Sequence, residues 1–318
     1  MYLPLELLHE IILVSLSSSP TAPEETGVSI KQNWASLEPL TLASKVYRKQ
    51  ALNAWFRTLY AKTPSDLFHF GLIFPDFCGV TREIHGVQLN TRKSSVWDLG
   101  RLKQLKKIRL DWLSPYMTPH YGSNMSDRLP FTHAPPTVKE LDIRGIPWPS
   151  PIVFLNIHTI FPNLNILCLR QQRIWCGLCH TCCVPRFSSP GPEKIVYTDG
   201  GGLPLHYSRV LRDLQHLHTI YITIADFGGG KTMLRDSPDH NPYRWAGECD
   251  SCMEIMYEDK VFRDMWVAKK MDITMNGYGA PPVLNKVEWN FWKAEASEEI
   301  DVEESGDELT EELAEEAL

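Results

Sequence analysis

Gln104-Leu-Lys-Lys-Ile-Arg-Leu-Asp-Trp-Leu113 is a short run in which apolar and polar residues alternate. Alternation with period two is the pattern of a strand with one buried face. The form recurs as Val138-Lys-Glu-Leu-Asp-Ile143, as Leu164-Asn-Ile-Leu-Cys-Leu169 and as Leu217-His-Thr-Ile-Tyr-Ile-Thr-Ile224, and Lys194-Ile-Val-Tyr197 reads as a further strand. Pro135-Pro136 and Pro162-Asn163 fall where boundaries between units would lie. Aligned on Ile108, Leu141, Ile166 and Ile220, the units are 33, 25 and 54 residues apart. Such runs fit an ordinary mixed α/β domain, or a stack of units whose strands bury one continuous core.

Upstream, Tyr2-Leu-Pro-Leu-Glu-Leu-Leu-His-Glu-Ile-Ile-Leu13 carries the other strong pattern. Pro4 suits the first turn of a helix, where its missing N–H costs nothing. Leu3, Leu7, Leu8, Ile11 and Ile12 fall on one face at helical spacing, with Glu6 and Glu10 off it. Residues 2–16 therefore read as helix, 17–27 as a Ser/Pro-rich loop, and 30–62 as one or two helices ended by Pro64. Met253 to Lys270 reads as a later helix in which Asp259 pairs with Arg263. Tyr243, Trp245, Trp289, Phe291 and Trp292 suggest an aromatic-rich cap.

Two resemblances follow from these residues. Leu3-Pro4 with its helix, and Ser44-Lys-Val-Tyr-Arg48 downstream, resemble the F-box, a helical module that docks onto the Skp-family adaptor of a cullin ubiquitin ligase. By resemblance, adaptor contact falls to Leu3, Pro4, Leu7, Leu8, Ile11 and Ile12, with Leu40, Ser44 and Tyr47 from the second part. Tyr47 stands where tryptophan is more usual, and the Ser/Pro-rich insertion separates the two halves. The alternating runs resemble leucine-rich repeats, which run about 20–29 residues when regular. The spacings here make them irregular, with long insertions. The whole resembles fungal F-box proteins with irregular leucine-rich repeats, in some of which a Trp-Cys-Gly-x-Cys stretch and a later Gly-x-Cys-x-x-Cys recur.

The resemblance implies an α/β chain in three parts. These are an F-box-like helical module over 1–63, a leucine-rich-repeat-like solenoid with short parallel strands over 64–293, and a disordered acidic tail over 294–318. It implies a non-enzymatic substrate-recognition subunit of a Skp–cullin–F-box ligase, binding the adaptor and a protein substrate in the cytoplasm or nucleus. Two plainer readings compete: a helical cap on the solenoid that satisfies its own apolar stripe, and a solenoid scaffold without a ubiquitin role.

The richest chemical motif is Trp175-Cys-Gly-Leu-Cys-His-Thr-Cys-Cys183, with Cys249-Asp-Ser-Cys252 far downstream. Two C-x-x-C pairs suit a tetrahedral Zn²⁺ site, because each tight turn supplies two thiolates. Cys176, Cys179, Cys249 and Cys252 are the candidate ligands, with His180, Cys182 and Cys183 spare. Cys179 and Cys249 lie 70 residues apart, so the fold must join them. The alternatives are reduced buried thiols, or a redox or zinc-dependent function centred on Cys176 and Cys179, since Trp-Cys-Gly-Leu-Cys resembles the thioredoxin motif. That motif needs a long following helix, which Ser188-Ser-Pro-Gly-Pro192 opposes. Cys176-Gly-Leu-Cys-His180 also matches a c-type haem attachment, which requires export.

Composition narrows the remainder. The chain has 318 residues, 43% hydrophobic and 22% charged, enough for a sizeable core. The formal charge of −7 conceals an asymmetry. Twelve acidic and no basic residues follow Lys293, which leaves residues 1–293 with 32 Lys and Arg against 27 of the 39 Asp and Glu, or +5. The tail reads as solvated and disordered, with Ser305 a candidate phosphorylation site. No run of eighteen apolar residues predicts a membrane span. The absence of a basic flank before residues 5–16 argues against a secretory signal and for reduced cysteines. Ala225-Asp-Phe-Gly-Gly-Gly-Lys-Thr232 resembles a relaxed phosphate loop, but Pro238 and Pro242 deny it the helix it needs. The basic stretch Arg101 to Arg109 reads as a helix-to-strand surface rather than a nucleic-acid surface. No nucleophile, base and acid assemble from the eleven histidines.

Overall fold

The computed structural model describes residues 4–16, 26–29, 31, 33–89, 96–113, 128–146, 149–179, 182–183, 193–198, 202–226, 249, 251–252, 255, 258–275 and 284–293. The expected acidic tail, Leu3, His180 and all but the first two residues of the relaxed phosphate loop lie outside this set.

The chain begins with α1 (Leu5–Leu16), entered through Pro4, whose carbonyl accepts from Leu8 N at 3.1 Å. A 3₁₀ turn at Trp34–Ser36 leads into α2 (Glu38–Ala43) and α3 (Lys45–Trp55). Ser44 caps α3: its Oγ accepts from Tyr47 N at 3.1 Å, which satisfies one of the helix's orphan donors. Leu8 and Ile12 of α1 pack with Leu37 and Ala54 into a small core of their own.

Residues 58–61 depart from the helical reading of 30–62. They form β1 (Thr58–Ala61), the first strand of a sheet. Its other strands are β2 (Glu83–Leu89), β4 (Lys107–Leu113), β6 (Glu140–Arg144), β7 (Ile166–Gln171), β10 (Lys194–Tyr197), β11 (Thr219–Asp226) and β12 (Lys286–Lys293). Two short pairs flank it, β3 (Trp97–Asp98) with β5 (Phe131–His133), and β8 (Ile174–Trp175) with β9 (Cys182–Cys183). The sheet order is β1-β2-β4-β6-β7-β11-β12-β10. All neighbours run parallel except β10, which closes the edge antiparallel to β12. The protein is thus a mixed α/β chain with a mostly parallel sheet, its parallel strands laid down in chain order. Trp289 and Phe291, expected in an aromatic cap, belong to β12 instead.

Pairing fixes the apolar register. Leu59, Ile84, Ile108, Leu141, Leu167, Ile220 and Val287 stand side by side across seven strands, all buried. A second buried row runs Ala61, Gly86, Leu110, Ile143, Leu169, Ile222 and Trp289. The sequence alignment on Ile166 was one residue off. Leu167 aligns with Leu141, and the one-residue slip would turn the strand's apolar set outward. Just before the strands, backbone bonds link Arg82 to Arg57, Lys106 to Arg82, Lys139 to Lys106, Asn165 to Lys139, His218 to Asn165 and Asn285 to His218.

The short helices α4 (Asp66–Ile73), α5 (Phe77–Val80), α6 (Ile157–Ile160) and α7 (Leu205–Leu211) connect the strands. Phe77, Ile157, Tyr207 and Leu211 join the two apolar rows in one core. Downstream, α8 (Lys260–Met275) packs on α7. The expected Asp259–Arg263 pair gives way to a cap: Asp259 Oδ1 accepts from Phe262 N at 2.9 Å, and Arg263 Nε lies 3.5 Å from Asp264.

The opposite sheet face is polar. Asp111, fully buried, accepts from Gly27 N at 2.6 Å and Arg109 Nε at 2.8 Å, and lies 2.7 Å from His85 Nε2. Burial alone would raise its pKa, but the His85, Arg109 and Gly27 hydrogen bonds win and hold it below the usual carboxylate range. Gly27 (φ 84) thereby anchors the end of the Ser/Pro-rich insertion onto the sheet, and its carbonyl accepts from Tyr60 Oη at 2.8 Å. Gly145 (φ 74) follows β6 where any Cβ would run into the Trp112 carbonyl oxygen, so only glycine fits there.

Candidate metal centre and an exposed helical face

Two loops build the cysteine site. Ile174 pairs with Cys183 and Trp175 with Cys182, so β8 and β9 form a hairpin whose tip carries Cys176 and Cys179. Cys249 and Cys252 come from the segment that precedes α8. The four Sγ atoms lie within 4.8 Å of one another. Cys176, Cys249 and Cys252 are buried and Cys179 is exposed. A tetrahedral ion with Zn–S bonds of about 2.3 Å sets its sulfurs about 3.8 Å apart. Cys179 Sγ and Cys249 Sγ are 3.9 Å apart. Four cysteines so placed can hold a metal ion, and the donor set is the soft one that zinc takes.

The electrostatics of the two loops differ. The Cys249 thiol, with the backbone N–H groups of Cys179, Cys249 and Leu178, hydrogen-bonds to Cys176 and drives its pKa down against burial. The same contact with Cys176 heads the causes that push Cys249 up, while the Cys252 backbone favours the Cys249 thiolate. In each C-x-x-C turn the N–H of the second cysteine thus serves the sulfur of the first, while burial pushes Cys252 itself up to about 12.

Sequence spacing left the spare ligands open, and the hairpin's pleat separates two of them. Cys183 Sγ lies 3.9 Å from Cys179 Sγ, and Cys183 packs against the cysteine cluster. Burial pushes Cys182 up to about 12. Neighbouring strand residues point to opposite faces, so one of the two adjacent cysteines joins the site. The thioredoxin-like reading loses its scaffold, because Cys176 and Cys179 sit on a hairpin tip that returns as β9, not at a helix N-terminus.

The residues expected to contact an adaptor divide in two. Leu8 and Ile12 face inward, at 9% and 2% exposure. Leu7, Ile11 and Tyr47 are exposed, as are Pro4 and Ser44, and Leu40 is half-buried. Three further apolar residues of the module are exposed, Val14 (69%), Leu42 (78%) and Val46. The spacing Leu7, Ile11, Val14 could have found the first, since it is an i, i+4, i+7 stripe. The helical module therefore buries Leu8 and Ile12 of α1 and leaves Leu7 and Ile11 exposed.

No protein-family model, curated protein or solved structure matches the chain. Among the described residues, no helix is long and apolar enough to cross a membrane.

Proposed function

We propose that this chain is the substrate-recognition subunit of a Skp–cullin–F-box ubiquitin ligase, a receptor that supplies proximity and no chemistry of its own. The observation that carries the reading is the exposed pair Leu7 and Ile11 on a helix whose other side is already packed. Large apolar side chains in water cost free energy that a partner groove would recover, at about 25 cal/mol per Å² buried. Leu42, Val46 and Tyr47 extend the exposed apolar surface of the module onto α2 and α3.

The body is read as an irregular leucine-rich-repeat-like solenoid. In-order strand addition and the line of bonds from Arg57 to Asn285 support that reading. Its polar face, with Asp142, Arg144, Arg170 and Tyr221, would meet a protein substrate in the cytoplasm or nucleus. Zinc in the four-cysteine centre would be structural. It would tie the β8–β9 hairpin to the segment before α8, with all four positions filled by protein and none left for a reactant.

The test is co-purification of the full chain with a Skp-family adaptor. The wild type should carry the adaptor, and a Leu7→Asp, Ile11→Asp, Val14→Asp variant with an unchanged circular dichroism spectrum should not. A folded wild type that never carries the adaptor refutes the reading and leaves the module a cap. Zinc is tested separately: one ion per chain by mass spectrometry, lost together in Cys176→Ser and Cys249→Ser.

A further inference from the structure

The metal centre has a fifth thiol. Cys179, the one exposed member of the four, lies 3.9 Å from Cys183 Sγ as well as 3.9 Å from Cys249 Sγ. The β8–β9 pairing opposite Ile174 brings Cys183 back beside the hairpin tip. Oxidants reach sulfur through exposure, so they meet Cys179 first. A disulfide to Cys249 would sacrifice two metal ligands. One to Cys183 sacrifices a single ligand, and both partners sit on the same short hairpin.

We propose that Cys179 and Cys183 are an oxidisable dithiol at the rim of the metal centre, on which a hydroperoxide acts to release the ion. The proposal rests on the metal reading of the four cysteines. The Cys179 sulfur attacks a peroxide oxygen, the O–O bond breaks, and a sulfenic acid and water (or alcohol) form. The Cys183 sulfur then attacks the sulfenic sulfur and expels a second water. Two thiols and one peroxide become one disulfide and two waters, or one water and one alcohol. The sulfurs must close from 3.9 Å to about 2.05 Å, a movement within the hairpin tip. Cys179 then no longer donates to the metal, and a three-thiolate site holds the ion less tightly. A thiol reductant reverses the change.

The experiment uses the full chain purified with zinc, treated with hydrogen peroxide. Ion release is followed with a colorimetric chelator, and disulfides are mapped by peptide mass spectrometry. Zinc release should keep pace with a Cys179–Cys183 disulfide. Cys183→Ser should slow release several-fold with the zinc content unchanged, while Cys182→Ser, its neighbour on the opposite strand face, should leave the rate alone. Release from Cys183→Ser at the wild-type rate overturns the proposal, as does a first disulfide that includes Cys176, Cys249 or Cys252. If the chain purifies without zinc, the metal reading fails by itself. The first disulfide in that metal-free chain still decides whether Cys179 and Cys183 are the reactive pair.

Discussion

The sheet and the N-terminal module treat their apolar residues differently. Across the seven parallel strands, two apolar rows are buried from edge to edge. Among the described side chains of α1, only Leu8 and Ile12 reach that state, while Leu7, Ile11 and Val14 stay exposed. A fold that can hide apolar surface does so. Exposed apolar residues also occur on α4, at Phe68, Leu72 and Ile73; on the proposed reading, a partner's groove covers those of α1.

Substitutions in the sheet core should have the largest effects. Trp289→Ala empties a fully buried site whose Nε1 donates to the Gly202 carbonyl at 2.8 Å. It should cost about 3–5 kcal/mol in urea unfolding, and a loss below 1 kcal/mol would mean the sheet core is not packed as described. Asp111→Ala leaves Arg109 and His85 facing a vacated, dry position, and should cost about 3 kcal/mol. The wild type's own pH dependence checks this. Because the folded Asp111 titrates below its usual range, its contribution is present above about pH 4 and is lost as pH falls further. The Asp111→Ala chain should show a shallower acid limb.

Smaller effects lie at the junction of the two regions. Lys31 Nζ donates to the Trp55 carbonyl at 2.8 Å and sits 3.8 Å over the Trp55 ring. Burial lowers its pKa to about 7. Between that value and the ordinary lysine range near pH 10.5 the unfolded chain binds the extra proton, so stability rises with pH across this window. Lys31→Met should flatten that slope in thermal melts at pH 7 and pH 10, and an unchanged slope would place the titration elsewhere. The smallest expected change is in α1. Leu7→Ser with Ile11→Ser should shift stability by less than about 0.5 kcal/mol. A loss like that of a core residue would show that the stripe is covered within the chain.

What the sequence made legible follows from how local each signal is. The strands at 107–113, 140–144, 166–171 and 219–226 were visible because one face is apolar and the other polar. The strand at 83–89 was missed because Gly86, which lies against Trp97, breaks the apolar alternation. Residues 58–61 looked helical because they continue a helical run without proline, and only the pairing of Leu59 with Ile84 makes them a strand. The cysteine set was readable from two C-x-x-C spacings. The part played by Cys183 was not, because adjacent cysteines are equivalent until a hairpin gives them opposite faces. Likewise, helical periodicity grouped Leu7, Leu8, Ile11 and Ile12 on one broad face. Only the packing of α1 against Leu37 and Ala54 separates the buried pair from the exposed pair.

The most direct measurement is the affinity of the full chain for a Skp-family adaptor, by calorimetry, for the wild type and for Leu7→Ala with Ile11→Ala, alongside their melting temperatures. Each truncation of a buried interface anchor costs about 1–2 kcal/mol. Binding should therefore weaken about thirtyfold to a thousandfold in the variant, with the melting temperature unchanged. Equal affinities, or a folded wild type that binds no adaptor, would contradict it.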